Sequence, residues 1–282
     1  MWKMLLALTR AVPRSIDRCE LTHLDRIPID YERAVDEHER YEAALREMGC
    51  RVERLPDAPD QPDSVFVEDT AVVFHDLAVI TRPGAPSRRG EVAATVAALS
   101  RHRPLAFIQA PGTLDGGDVL VTAGTVFVGD TPRSNAEGAR QFAAFVSALG
   151  YDVVRVPVTK CLHLKSAISA LLPMGGRCAS VASDMPAASA TGRTLLINRD
   201  WIDAAPFERF DLIDVDPAES AAANVLAIGD RVLCADEFPR TRSRVEAGGF
   251  VTLSIPAAEL AKAEGGLTCG SLVFCTFDTR PE

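Results

Sequence analysis

The chain has no concentrated basic face. Its 282 residues carry a formal net charge of −9, and its isoelectric point is about 5.2. The one clustered basic stretch, Arg240–Arg244, soon meets Glu246. A general nucleic-acid binder would show a basic stripe, so no such partner is expected. An acidic protein can instead attract a cationic small molecule. No segment reaches the apolar length that spans a membrane. The opening run Met4–Leu8 is too short for a secretory signal and is read as a first strand. The seven cysteines, Cys19, Cys50, Cys161, Cys178, Cys234, Cys269 and Cys275, contain no C-x-x-C pair. That argues against a disulfide framework or a structural zinc site and for a reducing cytoplasm. Neither a G-x-G-x-x-G nor a Walker pattern occurs, so no phosphate loop is expected.

What is present is an alternation of short Val/Ile/Leu runs with Ala-rich segments of helical period, which defines an α/β chain. Helices are expected over Tyr31–Met48 behind an Asp30 cap, Gly90–Ser100 and Asn135–Leu149. Strands are expected over Val65–Phe74, Ala78–Thr81, Val119–Thr122, Thr125–Val128, Asp152–Val156, Thr194–Ile197, Val225–Ile228, Val232–Ala235, Phe250–Leu253 and Ser271–Thr276. Three stretches starting near Thr70, Gly117 and Ala223 share one plan: strand, tight turn, strand, Pro/Arg loop, helix. Their spacing gives a period of roughly 50 residues, which allows about five units. Ser166–Arg199 is a loose candidate for the weaker copy between the last two. No linker divides the chain, so residues 1–282 are taken as one domain.

Four places interrupt this regularity. In "DSVFVEDTAVV" adjacent carboxylates, Glu68 and Asp69, break an apolar run; they are either a solvated strand end or a buried pair that needs a cation. In "LDGGDVL" Asp115 and Asp118 flank a glycine pair that suits an ordinary turn equally well. His163 lies between Leu162 and Leu164, two residues after Cys161. It is a structural histidine, a catalyst, or half of a Cys161/His163 metal site whose further ligands are missing. His23, His38, His75 and His102 read as surface residues. In "AEGGLTCGSLVF", which begins at Ala263, glycines bracket Cys269 and allow the close backbone approach that presents a thiol. Cys275, inside the following strand, reads as an inert core cysteine.

In this order "FVEDTAVV", "TRPGAPSRR", "LDGGDVL", "LHLKS" and "GLTCGS" resemble the dimethylarginine dimethylaminohydrolase branch of the guanidino-group-modifying enzymes. The resemblance runs from about Asp63 to the C-terminus and is only general before Asp60 and over Gly175–Ala222. It implies the pentein fold, an α/β-propeller of five ββαβ units with pseudo-fivefold symmetry. It also implies cofactor-free hydrolysis of Nω-methylated arginine to citrulline and a methylamine. By resemblance Cys269 is the nucleophile, His163 the acid and then base, and Asp115 the carboxylate that orients His163. Asp69 and Glu68 are the guanidinium-binding acids, Arg88 and Arg133 hold the α-carboxylate, and Asp63 takes the α-ammonium. Leu21 covers the site from a lid at Cys19–His23, and Ala263 and Glu264 line it. Glu264 stands where relatives often have Asp, a departure that bears on the guanidinium contact. Zinc bridging Cys269 and His163 would be an inhibitor, not a cofactor. A homodimer is expected only from general frequencies. The alternatives are hydrolysis of Nω-hydroxyarginine, deimination of arginine or agmatine, and a non-catalytic pentein binding module.

Overall fold

The computed structural model describes residues 3–122, 124–171 and 194–277. Cys178 and residues 172–193 of the weak repeat copy Ser166–Arg199 lie outside these residues. The strands, in chain order, are β1 (Lys3–Thr9), β2 (Cys50–Arg54), β3 (Ala71–Val73), β4 (Ala78–Ile80), β5 (Leu105–Phe107), β6 (Val119–Thr122), β7 (Thr125–Asp130) and β8 (Asp152–Pro157). They continue as β9 (Ile168–Leu171), β10 (Thr194–Ile197), β11 (Asp211–Asp214), β12 (Leu226–Ile228), β13 (Arg231–Ala235), β14 (Val251–Ile255) and β15 (Leu272–Phe277). Among them run α1 (Tyr31–Glu47), α2 (Val92–Leu99), α3 (Ala136–Ser147), α4 (Leu164–Ala167), α5 (Pro239–Ala247) and α6 (Ala258–Ala261).

These strands form five three-stranded sheets: β15-β1-β2, β3-β4-β5, β6-β7-β8, β9-β10-β11 and β12-β13-β14. In each, the first strand pairs antiparallel with the second and the second parallel with the third. A parallel return needs a crossover. It is supplied by α1, α2, α3 and α5, and in the fourth unit by a 3-10 turn at Ala205–Phe207. The helix starts are locally encoded: the Asp30 side chain accepts from the Arg33 N–H and that of Asn135 from the Gly138 N–H, two ordinary N-caps.

The units close into a ring. Residues of β3, β6, β9, β12 and β15, the first strand of every unit, line one axial cavity of about 160 Å³. The apolar core is divided among the five gaps between neighbouring sheets. Leu8 packs with Ile80 and Phe274, Phe74 with Val126, Phe127 with Ile197, Leu196 with Val232, and Leu233 with Leu45. Phe127 and Phe207, fully buried with ring centroids 4.6 Å apart, show how one gap is filled. Cutting either to Ala would cost about 3–5 kcal/mol. The first unit is completed by the two ends of the described chain, with Leu5 opposite Cys275 and Leu6 opposite Phe274.

Two expectations change. Val65–Phe74 is not one strand: Val67–Thr70 is a 3-10 turn held by the Thr70 hydroxyl on the Val67 carbonyl, and only Ala71–Val73 extends. His38 is not on the surface; it is 2% exposed, 6.1 Å from the Tyr41 ring and 3.9 Å from Glu42. Among the described residues no helix is long and apolar enough to cross a membrane.

Candidate active site

The site follows from the repeat. Each unit leads into its first strand through a short turn, and ring closure brings those five turns to one end of the axis. Ahead of β3 stand Glu68 and Asp69, and ahead of β6 Asp115 with the glycine pair. His163 precedes β9, Asn224 precedes β12, and Cys269 precedes β15.

His163 sits between two acids. Its Nε2 is 3.2 Å from Asp115 Oδ2 and its Nδ1 is 3.8 Å from Asp69 Oδ1, with all three residues buried. Burial opposes the imidazolium, but Asp69, Asp118 and Asp115 outweigh it and push His163 up to about 9. Asp115 is itself fixed by the Gly84 N–H at 2.8 Å, while its own N–H donates to Ser134 Oγ. Burial opposes ionisation of Asp69 as well. His163, the Arg88 guanidinium and the Gly117 N–H at 2.9 Å overcome it and hold the carboxyl well below the usual range. Gly117 cannot be replaced cheaply: a Cβ there would lie 2.4 Å from His163 Nδ1 and 2.9 Å from Asp69 Oδ1.

Cys269 is half-buried and belongs to the turn that follows α6. Its Sγ accepts from the Gly266 N–H at 3.3 Å, and its carbonyl accepts from the Glu68 N–H at 3.1 Å. Burial, then Glu68 and Asp69, push its thiol up to about 12; the Gly266 N–H and Lys165 offset only part. Without a cation in the site the sulfur is therefore a thiol. Gly266 is required by Asn224, whose side chain would lie 2.4 Å from an added Cβ. Asn224 Oδ1 accepts the Thr268 N–H, and its Nδ2 donates to Thr268 Oγ1 and the Lys165 carbonyl. It thus ties the turn carrying Cys269 to the segment after His163.

Several expected residues have other partners than the resemblance gave them. Glu68 is paired with Lys165, and its second oxygen accepts from Thr268 Oγ1 at 2.7 Å. Burial still raises its pKa. Asp69 is therefore the acid that faces His163, and Glu68 closes the inner end where the axial cavity begins. Arg88 does not stand free for a carboxylate. Its guanidinium is buried and donates to Asp69 Oδ2 at 2.6 Å, to Glu91, and to the carbonyls of Asp63 and Phe66. A buried guanidinium has to satisfy its donors inside the protein, and here it does so by bracing Asp69. Arg133 lies 3.9 Å from Asp115 and donates to Thr22 Oγ1. Both oxygens of Asp63 accept the Glu20 N–H at 3.2 Å. Leu21, half-buried, and Cys269 both pack against the apolar cluster that contains Phe66 and Ala263. Glu264 points to the backbone of the loop that carries Leu21, with Oε1 2.5 Å from the His23 N.

Three residues have supporting roles that the sequence reading did not assign. Lys165 sits inside a quoted motif, but its ion pair spans two units. Asp118, pushed by burial up to about 6, accepts from Thr131, Ser134 and the Leu164 N–H, and so fixes the residue after His163. Asn224 could have been found by aligning the third repeat copy with the others. Among the described residues, Asp69, Asp115 and His163 form the group whose donor atoms lie close enough to share a metal ion, within 4.8 Å. Cys269 is not one of its members.

Five three-stranded sheets in a ring define the class as a pentein, with a cysteine turn, a carboxylate-flanked histidine and a buried acid gathered at one end of the axis. The comparisons give the family. Residues 23–231 match the model of the family described as N,N dimethylarginine dimethylhydrolase, eukaryotic. The dimethylarginine dimethylaminohydrolase of Streptomyces coelicolor is 39% identical, covering 89% of this chain and 90% of that protein. That of Pseudomonas aeruginosa is 33% identical, covering 97% and 100%. A solved structure of the Pseudomonas enzyme, a cysteine-to-serine mutant complexed with citrulline, superposes with a TM-score of 0.85 at 31% identity, covering 96% of this chain and all of that one. A cyanobacterial arginine dihydrolase domain shares the fold at a TM-score of 0.79 and 18% identity. The chain belongs to the dimethylarginine dimethylaminohydrolase family.

Proposed function

We propose that this protein hydrolyses Nω-methylated arginine to citrulline and a methylamine, with Cys269 as nucleophile, within the single domain 1–282. The observation that carries the reading is His163 held between Asp115 and Asp69, on the same axis end as the Cys269 turn. The citrulline complex of the Pseudomonas relative supports the product.

The guanidinium is a delocalised cation and a poor electrophile, so the site has to bind charge and activate sulfur together. Asp69, kept ionised by Arg88 and Gly117, receives the guanidinium nitrogens. The same positive charge lowers the cost of ionising Cys269, which loses its proton to solvent as substrate seats. The thiolate then adds to the central carbon. His163, charged at neutral pH, passes a proton to the methylated nitrogen, and the neutral amine leaves as the C–N bond breaks. The cationic S-alkylthiouronium that remains is attacked by water. His163, now neutral, takes one water proton; C–S cleavage returns the electron pair to sulfur, and the remaining hydroxyl proton restores the thiol as citrulline forms.

The resemblance gives Arg88, Arg133 and Asp63 to the amino-acid end of the substrate and Leu21 to its cover. With Arg88 committed to Asp69 and Glu91, Arg133 and Asp63 are the groups this reading keeps there. A reducing cytoplasmic setting suits a free thiol nucleophile. The test is to incubate the protein with dimethylarginine, arginine and Nω-hydroxyarginine and assay citrulline. Dimethylarginine should give the highest kcat/KM. A higher value for arginine would make it a deiminase, one for hydroxyarginine would change the substrate, and no citrulline from any of them would remove the enzyme reading.

A further inference from the structure

Glu264 has a φ of +57°, and it is the one non-glycine residue with positive φ among the described residues. Glycine would occupy that conformation without strain. A long acidic side chain kept at such a position points to a use for the side chain. The carboxylate accepts from three consecutive backbone N–H groups: Thr22 at 3.1 and 3.2 Å, His23 at 2.5 Å and Leu24 at 2.7 Å. Successive amides converging on one anion form a cradle, and bonds to a charged acceptor are the stronger kind.

The two ends of this contact matter. Glu264 follows α6 and directly precedes the turn in which the Gly266 N–H meets Cys269 Sγ. Residues 22–24 directly follow Leu21, which packs against the apolar cluster of Val65, Phe66 and Ala263 that Cys269 also borders. On the other side of Leu21 the loop is held at the Glu20 N–H by Asp63, and Thr22 Oγ1 is held by Arg133. Asp63 and Arg133 are the groups that the proposed function gives to the substrate's ammonium and carboxylate. Their bonds to the loop must be shared or exchanged when substrate arrives, whereas those of Glu264 need not be.

We propose that Glu264 is the latch of the loop 19–24: a positioning residue that fastens Leu21 over the nucleophile turn and so sets access to Cys269, with no contact to the guanidinium. The inference rests on Cys269 as the nucleophile, but its structural half stands apart from the substrate's identity.

The test compares wild type, Glu264→Gly and Glu264→Gln. The glycine variant removes the carboxylate and relieves the backbone at once, so the fold is not at risk. Hydrogen exchange in the free protein should show the amides of Thr22, His23 and Leu24 exchanging at least about tenfold faster in Glu264→Gly, with α3 unchanged. The KM for dimethylarginine should rise about tenfold while kcat stays within about threefold. Glu264→Gln, which keeps an uncharged acceptor, should fall between the two. Unchanged loop exchange would overturn the latch, as would faster exchange across α3. A loss in kcat with KM intact would make Glu264 a contact to the reacting group and overturn it too. A wild type that forms no citrulline would remove the proposed function while leaving the exchange result to stand or fall separately.

Discussion

The Nε2 of His163 lies 3.2 Å from Oδ2 of Asp115, and both residues are withdrawn from solvent. With Asp69 on its other nitrogen, the ring is pushed up to about 9 from an ordinary value of 6.5. The folded protein therefore binds more protons than the unfolded chain between those values. This contribution to stability is fully present below pH 6.5 and is lost as pH rises through 9. Its full size is on the order of 3 kcal/mol. Urea melts at pH 6.5 and 9.5 should show wild type losing stability across that window, and His163→Asn losing clearly less. Equal slopes would remove the carboxylate-held imidazolium, and with it a general acid charged at neutral pH.

Gly117 lies hard against the histidine and its acid. The nearest atoms to an alanine Cβ there would be His163 Nδ1, His163 Cγ and Asp69 Oδ1. Gly117→Ala should lower kcat/KM by about a hundredfold through misplacement of the imidazole, with circular dichroism unchanged. Near-wild-type turnover would mean that the His163–Asp69 geometry is not used.

Lys165 is the cation that Glu68 needs. Lys165→Met leaves a buried carboxylate unpaired and should cost about 3–5 kcal/mol in denaturant unfolding. Adding Glu68→Gln should recover much of that loss. If the double variant is as unstable as the single one, the loss lies in lysine packing, not in the unpaired charge.

Most of the first two strands of the units were legible because they are buried and apolar: Val126–Val128 and Leu195–Ile197 show no exposure worth the name, whereas β9, short and directly behind the α4 turn, was missed. Three of the five third strands were missed. Cys50–Arg54, Leu105–Phe107 and Asp211–Asp214 are short edge strands whose charged or half-exposed residues leave little apolar run, whereas the edge strands at Asp152–Pro157 and Val251–Ile255 keep enough β-branched residues to be read. Closure of the ring cannot be read from periodicity, because it depends on β1 pairing with β15 across the whole chain. Cys269, His163, Asp115 and Asp69 stood out as chemistry interrupting apolar runs. The partners of Arg88, Glu68 and Glu264 did not, since each pairing joins loops well apart in the chain: 19 residues for Arg88 and Asp69, 97 for Glu68 and Lys165, and 241 for Glu264 and His23.

The most direct measurement is citrulline release from dimethylarginine by wild type and by Cys269→Ser, with matched melting curves. The account predicts turnover by wild type and a fall of at least about a thousandfold in Cys269→Ser at unchanged fold. Cys161→Ser and Cys275→Ser, whose thiols are buried, should stay active. A Cys269→Ser protein that releases citrulline at the wild-type rate would contradict it.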